Sequence, residues 1–308
     1  MKKVFIDGKE GTTGLQIYER LSKRKDISLI TLSDEKRKDI LARKDCINKA
    51  DVVFLCLPDD AARESVSLCE NPETKIIDAS TAHRTADGWA YGFPELSKKF
   101  REDVATSKRI ANPGCHASGF VSLVYPLVSN GLVGADYPFV AHSITGYSGG
   151  GKKMIAEYEA EDRAVELESP RQYGLTLKHK HLPEMTKVCK LAHSPIFNPI
   201  VSDFYSGMCV TVPLYTSLMK SGKSVGQLKE FFKDFYAQAK FISVAENEEK
   251  FLAANTFSGT NKMQIYVGGN DEQILLCSRF DNLGKGASGA AVQNMNVALG
   301  LDEDAYLE

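Results

Sequence analysis

The sequence lacks long apolar runs, long basic runs and any large net charge. Its longest apolar runs are shorter than the roughly 20 residues that a membrane-spanning helix needs, so we expect no membrane contact. The formal net charge of -2 argues against a protein that binds nucleic acid, because neutralising phosphates requires a basic surface. The short basic runs near Lys23 and Lys36 are typical of solvated helix faces. We therefore expect a small-molecule substrate.

The cysteines also lack the spacings that would give them a structural role. The chain has seven, an odd number, with no CxxC pair and no Cys/His spacing typical of a metal site. The start Met1-Lys2-Lys3-Val4 shows no secretory signal. We therefore expect reduced thiols, a cytosolic (cytoplasmic) location and no bound metal.

What the chain does contain is an alternation of strands and helices in its N-terminal part. At 308 residues it exceeds the size of most single cores, which predicts two domains. Strands that alternate with helices indicate a parallel sheet, and hence an α/β fold with a Rossmann-type domain. The strand 51–57 is apolar at nearly every position, as in a central strand buried on both faces. The other predicted strands are 4–7, 28–32, 75–79 and 109–111.

A glycine loop follows the first predicted strand and precedes the first predicted helix. Its glycines, at the spacing G-x-x-G-x-x-G, would let the backbone approach a pyrophosphate at a helix N-terminus. Ligands of such sheets bind at the carboxyl ends of the strands, where this loop lies. The predicted cofactor-binding residues here are Gly8, Gly11, Thr12, Thr13 and Gly14.

The end of the second predicted strand bears on the choice of cofactor. Ser33, with Lys36 and Arg37 nearby, suits a 2′-phosphate, and this favours NADP. Asp34 offers two other interpretations. Its carboxylate would hold a ribose hydroxyl of NAD, or it would cap the next helix.

One cysteine stands at a position suited to chemistry. Asn112-Pro113-Gly114 forms a turn after the fifth predicted strand, and Cys115 then falls in the first turn of an apolar helix. A helix N-terminus lowers the pKa of a thiol, and the thiolate is the reactive form. We interpret Cys115 as the catalytic nucleophile and the other six cysteines as inert.

A histidine pair provides candidate proton partners. His179 and His181 lie two residues apart, which could point both rings to one face of an extended segment, and Glu184 could orient one of them. A metal site is a poor alternative, because no third ligand is obvious nearby. Arg84, just past the fourth strand, could bind a carboxylate or phosphate, or could be an ordinary surface arginine.

A second glycine-rich segment, 145–153, nearly matches a phosphate-binding P-loop. Lys153 stands where that motif needs Ser or Thr to hold magnesium. We interpret the segment as a flexible loop whose Ser148 and Gly149 contact nicotinamide or substrate. A nucleoside triphosphatase remains the alternative from another reaction class.

Taken together, these motifs resemble those of the N-acetyl-gamma-glutamyl-phosphate reductases in their shorter form, over nearly the whole chain. The matching segments are the Gly8–Gly14 loop, Asn112–Cys115, Thr145–Gly151, His179–Glu184 and Asp281–Ala287. In the longer form an aromatic residue follows the cysteine and a threonine stands two positions beyond it, whereas here His116 and Ser118 occupy those places.

The resemblance implies a Rossmann domain and an α+β catalytic domain with a mixed sheet, as in the semialdehyde dehydrogenases. It implies domains at 1–114, completed by a C-terminal helix within 284–308, and at 115–283. It further implies an NADP-dependent oxidoreductase of arginine biosynthesis, with Cys115 forming a thioester and His179 as acid/base. Asn282 joins the cofactor-binding residues, and the substrate-binding set is Arg84, Asn112, His181 and Glu184.

Besides the triphosphatase, three alternatives stay open at this point. An acyl-phosphate reductase of lysine biosynthesis, or another semialdehyde dehydrogenase, would use the same core chemistry on a different acyl chain. A non-enzymatic NADP-sensing protein would have lost the catalytic pair, which the presence of Cys115 and His179 argues against. In each enzymatic case we expect a homo-oligomer.

Overall fold

The computed structural model describes residues 1–220, 222–246 and 249–307. Its backbone divides into two compact units, Met1–Pro113 with Ala287–Glu308, and Gly114–Gly286. The sequence-based boundaries, 1–114 with 284–308 and 115–283, remain a proposal about separate domains. Residues 221, 247, 248 and 308 of these ranges lie outside the described residues.

The described part of the N-terminal unit contains a parallel sheet of six strands in the order β2-β1-β3-β4-β6-β5. Its central strand, β3, is fully buried, as its unbroken apolar sequence predicts. The strands are β1 (Lys2–Asp7), β2 (Ile27–Ile30), β3 (Val52–Leu55), β4 (Lys75–Asp78), β5 (Ala90–Tyr91) and β6 (Arg109–Ala111).

The helices of this unit connect successive strands, and a last helix returns from the C-terminal end of the chain. That helix, α9, contacts α1, α4 and β4, and nearly all of its side chains are buried. The helices are α1 (Thr12–Leu21), α2 (Ile40–Lys49), α3 (Asp59–Leu68), α4 (Lys98–Thr106) and α9 (Gly289–Leu299).

The C-terminal unit has, in its described part, a mixed sheet of seven strands in the order β11-β12-β13-β10-β7-β9-β8. The β10, β12 and β13 strands pair antiparallel, whereas β7 and β9 are parallel. The strands are β7 (Val140–Gly146), β8 (Arg171–Gln172), β9 (Ile196–Ser202), β10 (Met208–Tyr215), β11 (Ile242–Val244), β12 (Met263–Gly269) and β13 (Gln273–Phe280).

One face of this sheet carries the core of the unit. The long apolar helix α5 packs on β10 and β13, where Gly119 lies against Val210 and a methyl group at Gly119 would overlap it. The helices are α5 (Cys115–Ser129), α6 (Gly151–Glu159), α7 (Leu182–Cys189) and α8 (Val225–Phe235). This packing fixes the first turn of α5, and therefore Cys115, on a rigid element.

The predicted fold class is confirmed, since a parallel Rossmann-type sheet and a mixed sheet are both present. The segment after β2 differs from one expectation. Asp34 does not cap the next helix, because α2 begins only at Ile40, where the Asp39 carboxylate accepts the amides of Leu41 and Ala42. Among the described residues, no helix combines the length and apolar character that crossing a membrane requires.

Candidate active site

The glycine loop lies at the switch point of the N-terminal sheet. The chain leaves β1 for β2 on one side and later returns to β3 on the other, and such crevices are where ligands bind in parallel sheets. Gly8 has a positive φ of 88°, and a side chain there would overlap the carbonyl of Cys56 after β3. Glycine at this position is therefore required by the fold itself.

Gly11 is different, because the protein itself leaves room for a Cβ there. A Cβ at Gly11 would approach other protein atoms no closer than 3.5 Å, and φ is an ordinary -72°. A Cβ at Gly14, in contrast, would overlap the carbonyl oxygen of Gly8. The missing side chain at Gly11 keeps free the space in front of α1, whose N-cap offers no side-chain acceptor to the first-turn amides. These features fit a pyrophosphate.

A cavity of about 340 Å³ adjoins this loop. It is lined by Gly8, by the end of β2 and by the charged side chains of Asp34, Arg37 and Lys38. Ser33 and Lys36 are not among its lining residues. A nucleoside with a 2′-phosphate would therefore meet Arg37 and Lys38 in this cavity, and the assignment of Ser33 stays a prediction.

Arg84 and Asn112 occupy anchored positions in the same unit. The Arg84 guanidinium donates from Nε to the Asn112 carbonyl at 3.0 Å and from Nη2 to the Ala79 carbonyl at 3.1 Å. The buried Asn112 amide donates to the Ala287 carbonyl and accepts from Asn294, both at 3.0 Å. These contacts anchor Arg84 and Asn112 within the N-terminal unit, and their predicted substrate contacts stay predictions.

Cys115 opens α5 in the C-terminal unit. The N-cap, Gly114, has an extended backbone and no side-chain cap, so the first-turn amides and the helix dipole lie at the thiol. Cys115 is partly exposed, and its Cβ lies against Gly286, where a methyl group would approach it to 3.0 Å. The position combines access with an environment that favours a thiolate.

Three other cysteines, Cys46, Cys56 and Cys189, have surroundings of the opposite kind. Burial raises the pKa of the Cys56 thiol, with further contributions from the charges of Asp78 and Asp7. Burial likewise raises the pKa of Cys46 and Cys189. Such surroundings keep these three thiols protonated at neutral pH, and the interpretation of the six other cysteines as inert stays a prediction.

Glu184 is attached to the cysteine turn. Its side chain is almost fully buried, and its Oε1 accepts the Gly114 amide at 2.8 Å. It projects from the first turn of α7, which packs on α5. The Glu184 carboxylate thus contacts Gly114, the residue that precedes the predicted nucleophile, and orients the N-terminal backbone of α5. Its predicted substrate contact stays a prediction.

His179 and His181 lie together, but in a turn rather than an extended segment. Their ring centroids are 4.9 Å apart, and His181 is the N-cap of α7. The His181 main-chain amide donates to Nδ1 of His179 at 3.2 Å, which leaves the proton of a neutral ring on Nε2. Burial, and then the charge of Lys180, lower the pKa of His179 to about 4. His179 is therefore neutral near pH 7, with an N–H donor at Nε2.

The sequence motifs predict no role for His116. It follows Cys115 directly, is almost fully buried, and contacts the rings of His179 and His181 at centroid distances of 5.5 Å each. Its Nδ1 lies 2.6 Å from Ser143 Oγ and its Nε2 lies 2.7 Å from the Tyr173 hydroxyl. Its position beside the cysteine was the available sequence signal. Nothing in the sequence indicated that Ser143 and Tyr173 would meet it.

The remaining predicted cofactor residues form a group of their own. The Asn282 amide donates to Ser148 Oγ at 3.1 Å and accepts the Gly207 amide at 2.8 Å. A Cβ at Gly149 would lie 3.3 Å from the same amide nitrogen. Asn282 thus fixes the turn that follows β7, which is a 3-10 turn leading into α6. The structure brings these three residues together, and their contact with cofactor stays a prediction.

Within the described residues, no three or more His, Cys, Asp or Glu side chains are grouped so that they could hold a metal ion.

Two family models match the chain. Residues 3–105 match the semialdehyde dehydrogenase NAD binding domain, and residues 115–282 match the semialdehyde dehydrogenase dimerisation domain.

Named relatives match the chain over nearly its whole length. A protein of Mesorhizobium japonicum named N-acetyl-gamma-glutamyl-phosphate reductase is 48% identical, with 97% of this chain and 99% of the relative covered. A protein of Nostoc sp. named N-acetyl-gamma-glutamyl-phosphate reductase 2 is 45% identical, with 99% of each chain covered.

Solved structures agree at the level of fold. Aspartate semialdehyde dehydrogenase II from Vibrio cholerae superposes with a TM-score of 0.74 at 16% identity, covering 97% of this chain and 99% of that one. A probable aspartate-semialdehyde dehydrogenase from Pseudomonas aeruginosa gives 0.71 at 12% identity, covering 97% and 98%. At such low identity the likeness supports the architecture alone.

Proposed function

Because this chain belongs to the family of N-acetyl-gamma-glutamyl-phosphate reductases, we propose that it reduces N-acetyl-gamma-glutamyl phosphate to N-acetylglutamate semialdehyde. The cofactor is NADPH and the pathway is arginine biosynthesis. The observation that carries the proposal is the placement of Cys115 at the start of α5, next to the residue whose ring contacts His179.

Cys115 is the nucleophile in this proposal. The uncapped start of α5 favours its thiolate, and attack on the acyl carbon forms a thioester as phosphate leaves. Glu184 holds the Gly114 amide and so fixes the turn that presents the sulfur. The bound cofactor supplies the hydride that converts the thioester into the aldehyde.

His179 acts as a donor at Nε2. Because His181 donates to Nδ1, the proton of the neutral ring faces away from that contact and is available to an oxygen or sulfur that gains negative charge. A neutral imidazole can fill this role without protonation, which suits a ring whose pKa is lowered to about 4. His181 contacts substrate in the proposal.

The N-terminal unit would hold the cofactor through its chain atoms. The amides that open α1 and the space in front of Gly11 take the pyrophosphate, and Arg37 and Lys38 take the 2′-phosphate at the neighbouring cavity. Thr12 and Thr13 stand in the first turn of that helix, and Ser33 stays in the set as predicted. Arg84, Asn112, Ser148, Gly149 and Asn282 keep their predicted binding roles.

We also propose a cytoplasmic homo-oligomer. On the face of the C-terminal sheet that points away from α5, apolar side chains are substantially exposed. They include Ile144, Ile196, Tyr215 and Leu275. The dimerisation name of the matching family model supports a second copy of the chain as the occupant of this face. Sedimentation velocity tests it, and a monomer at micromolar concentration would contradict it.

The assay that tests the activity follows NADPH oxidation with three acyl phosphates in parallel. We expect turnover with N-acetyl-gamma-glutamyl phosphate to exceed that with aspartyl phosphate and with the acyl phosphate one carbon longer. Preference for the longer chain would support the lysine-type alternative, and no oxidation with any of them would support the sensing protein. Magnesium-dependent ATP turnover would support the triphosphatase, although β7 continues into a 3-10 turn with Lys153 at the metal-binding position.

A further inference from the structure

Asp7, the last residue of β1, uses only one of its two carboxylate oxygens within the described protein. Oδ2 accepts hydrogen bonds from Arg43 Nε at 3.2 Å and Arg43 Nη2 at 3.1 Å, and the Ser65 hydroxyl lies 2.7 Å from the same oxygen. No described residue donates a hydrogen bond to Oδ1, although the side chain is only 5% exposed. Because buried polar atoms are nearly always hydrogen-bonded, we expect the partner of Oδ1 to lie outside the chain.

This oxygen has access to the cavity that adjoins the glycine loop. Asp7 and Arg43 both line that cavity of about 340 Å³. Oδ1 is not among the polar atoms of the described protein that are sealed from solvent without a partner, so it keeps contact with the cavity. Leu32 and Leu57 also line the cavity and provide apolar surface for a base. Apolar walls with a few fixed polar groups are typical of a small-molecule site.

The ion pair with Arg43 makes the Asp7 carboxylate compatible with an anionic ligand. The guanidinium is itself buried, and its Nη1 also donates to the partly exposed Glu64 at 2.7 Å. Its positive charge offsets that of Asp7, so a phosphate can bind near Arg37 and Lys38 while Oδ1 still offers an acceptor. An ionised carboxylate only accepts hydrogen bonds, so the ligand must present a hydroxyl or an N–H group to Oδ1.

The 2′-phosphorylated adenosine of NADPH carries two such donors, the 3′-hydroxyl of the ribose and the amino group of the adenine. Asp7 directly precedes Gly8, the first residue of the loop that is proposed to hold the pyrophosphate. The ribose is bonded to that pyrophosphate, whereas the amino group lies at the far edge of the base. The position of Asp7 therefore favours the hydroxyl.

We propose that Asp7 is a specificity-determining residue of the cofactor site, whose Oδ1 accepts a hydrogen bond from the 3′-hydroxyl of the adenosine ribose. The inference rests on the proposed function, which places NADPH in this cavity. Arg43 and Ser65 hold Oδ2 and thereby leave Oδ1 for the ligand. The contact recognises the bound nucleotide and takes no part in the transfer of the hydride or the acyl group.

Isothermal titration calorimetry with two half-cofactors tests this role without substrate or turnover. The probes are adenosine 2′,5′-bisphosphate and its 3′-deoxy analogue. We expect the wild type to bind the first probe about tenfold more tightly or better, because the second lacks a hydrogen bond to a charged acceptor. Each protein is compared with itself, so a general weakening of the site in a variant does not change the difference between the probes.

Two variants and a control complete the experiment. Asp7→Asn keeps a neutral acceptor and should reduce the difference between the probes to about threefold. The double variant Asp7→Leu with Arg43→Met should bind both probes equally, and apolar replacement of a whole buried ion pair is often tolerated. Asp7→Asn alone serves if circular dichroism shows the double variant to be unfolded. Asp51→Asn is the matched control, because that carboxylate accepts the Lys3 amide at the other end of the same sheet, and it should keep the full difference.

The outcomes separate this role of Asp7 from the proposed function. Equal wild-type affinity for the two probes, or an unchanged difference in the folded Asp7 variants, overturns the role of Asp7 alone. Nicotinamide hypoxanthine dinucleotide phosphate lacks the amino group, and if only the preference for NADP⁺ over this analogue disappears in Asp7→Asn, Oδ1 binds the base and the proposal is wrong. A wild-type protein that binds no NADPH contradicts the cofactor assignment and therefore the proposed function.

Discussion

The helices that begin at Thr12 and at Cys115 share a backbone feature and differ in what they do with it. Each has a glycine N-cap, Gly11 or Gly114, that provides no side-chain cap to the first turn. Before α1 the Gly11 amide donates a hydrogen bond to the Gly8 carbonyl, and the space in front of the missing Gly11 side chain stays open. Before α5 the Gly114 amide is held by Glu184, and a thiol occupies the first position. The same positive helix end therefore suits a bound phosphate in one unit and a thiolate in the other.

Removing the thiol from the start of α5 should reduce turnover more than any other change. Cys115→Ser should lower kcat roughly 10³-fold or more, because a serine hydroxyl stays protonated near neutral pH and the helix end cannot ionise it. Steady-state NADPH oxidation measures this. Cys69→Ser, a partly exposed cysteine of the other unit, is the control and should keep wild-type turnover. A comparable loss of turnover in both variants would contradict a special role for the thiol at the start of α5.

The next effect concerns the open helix end. Gly11→Val should weaken NADPH binding at least about 100-fold while leaving the thermal midpoint near that of the wild type. A Cβ at Gly11 meets other protein atoms only at the ordinary contact distance of 3.5 Å, whereas a bound pyrophosphate would need the same space. Fluorescence titration and thermal melting together measure it.

Gly14→Ala is the paired variant for this prediction. Its methyl group would overlap the Gly8 carbonyl, so the thermal midpoint should fall. If Gly11→Val destabilised the fold as much as Gly14→Ala while binding NADPH normally, the distinction between the two glycines would be wrong.

A weaker effect is expected from the residue that bears on the choice between NADPH and NADH. Arg37→Ala should raise KM for NADPH about tenfold with little change for NADH, since an exposed charge-assisted contact to the 2′-phosphate is lost. Lys36→Ala is the neighbouring control, because Lys36 does not line the cavity. Equal sensitivity of NADPH and NADH would place the 2′-phosphate elsewhere, and a wild-type preference for NADH would favour Asp34 on a ribose hydroxyl.

Much of the N-terminal sheet could be predicted from sequence, because buried parallel strands are nearly continuous apolar runs. The apolar run 51–57 contains β3, and the glycines after β1 marked the turn into α1. The two-residue strand β5 was missed, since so short a segment carries no periodic pattern. The helix α4, which Ser97 caps, was also left out.

The candidate site was predictable only where local motifs define it. Cys115 and His179 belong to such motifs. Glu184, in contrast, could not be matched to the Gly114 amide, because that contact joins residues 70 positions apart. The hydrogen bonds of His116 with Ser143 and Tyr173 likewise depend on the register of β7 and on a loop conformation. Sequence patterns of single elements do not encode such contacts.

Intact-protein mass spectrometry decides whether Cys115 carries the acyl group. Wild-type protein is mixed with N-acetyl-gamma-glutamyl phosphate in the absence of NADPH, and the adduct is mapped by proteolysis. We expect one N-acetylglutamyl group per chain on Cys115, released when NADPH is added, and none on Cys115→Ser. An adduct on another cysteine, or an equal adduct on Cys115→Ser, would show that Cys115 does not carry the acyl group.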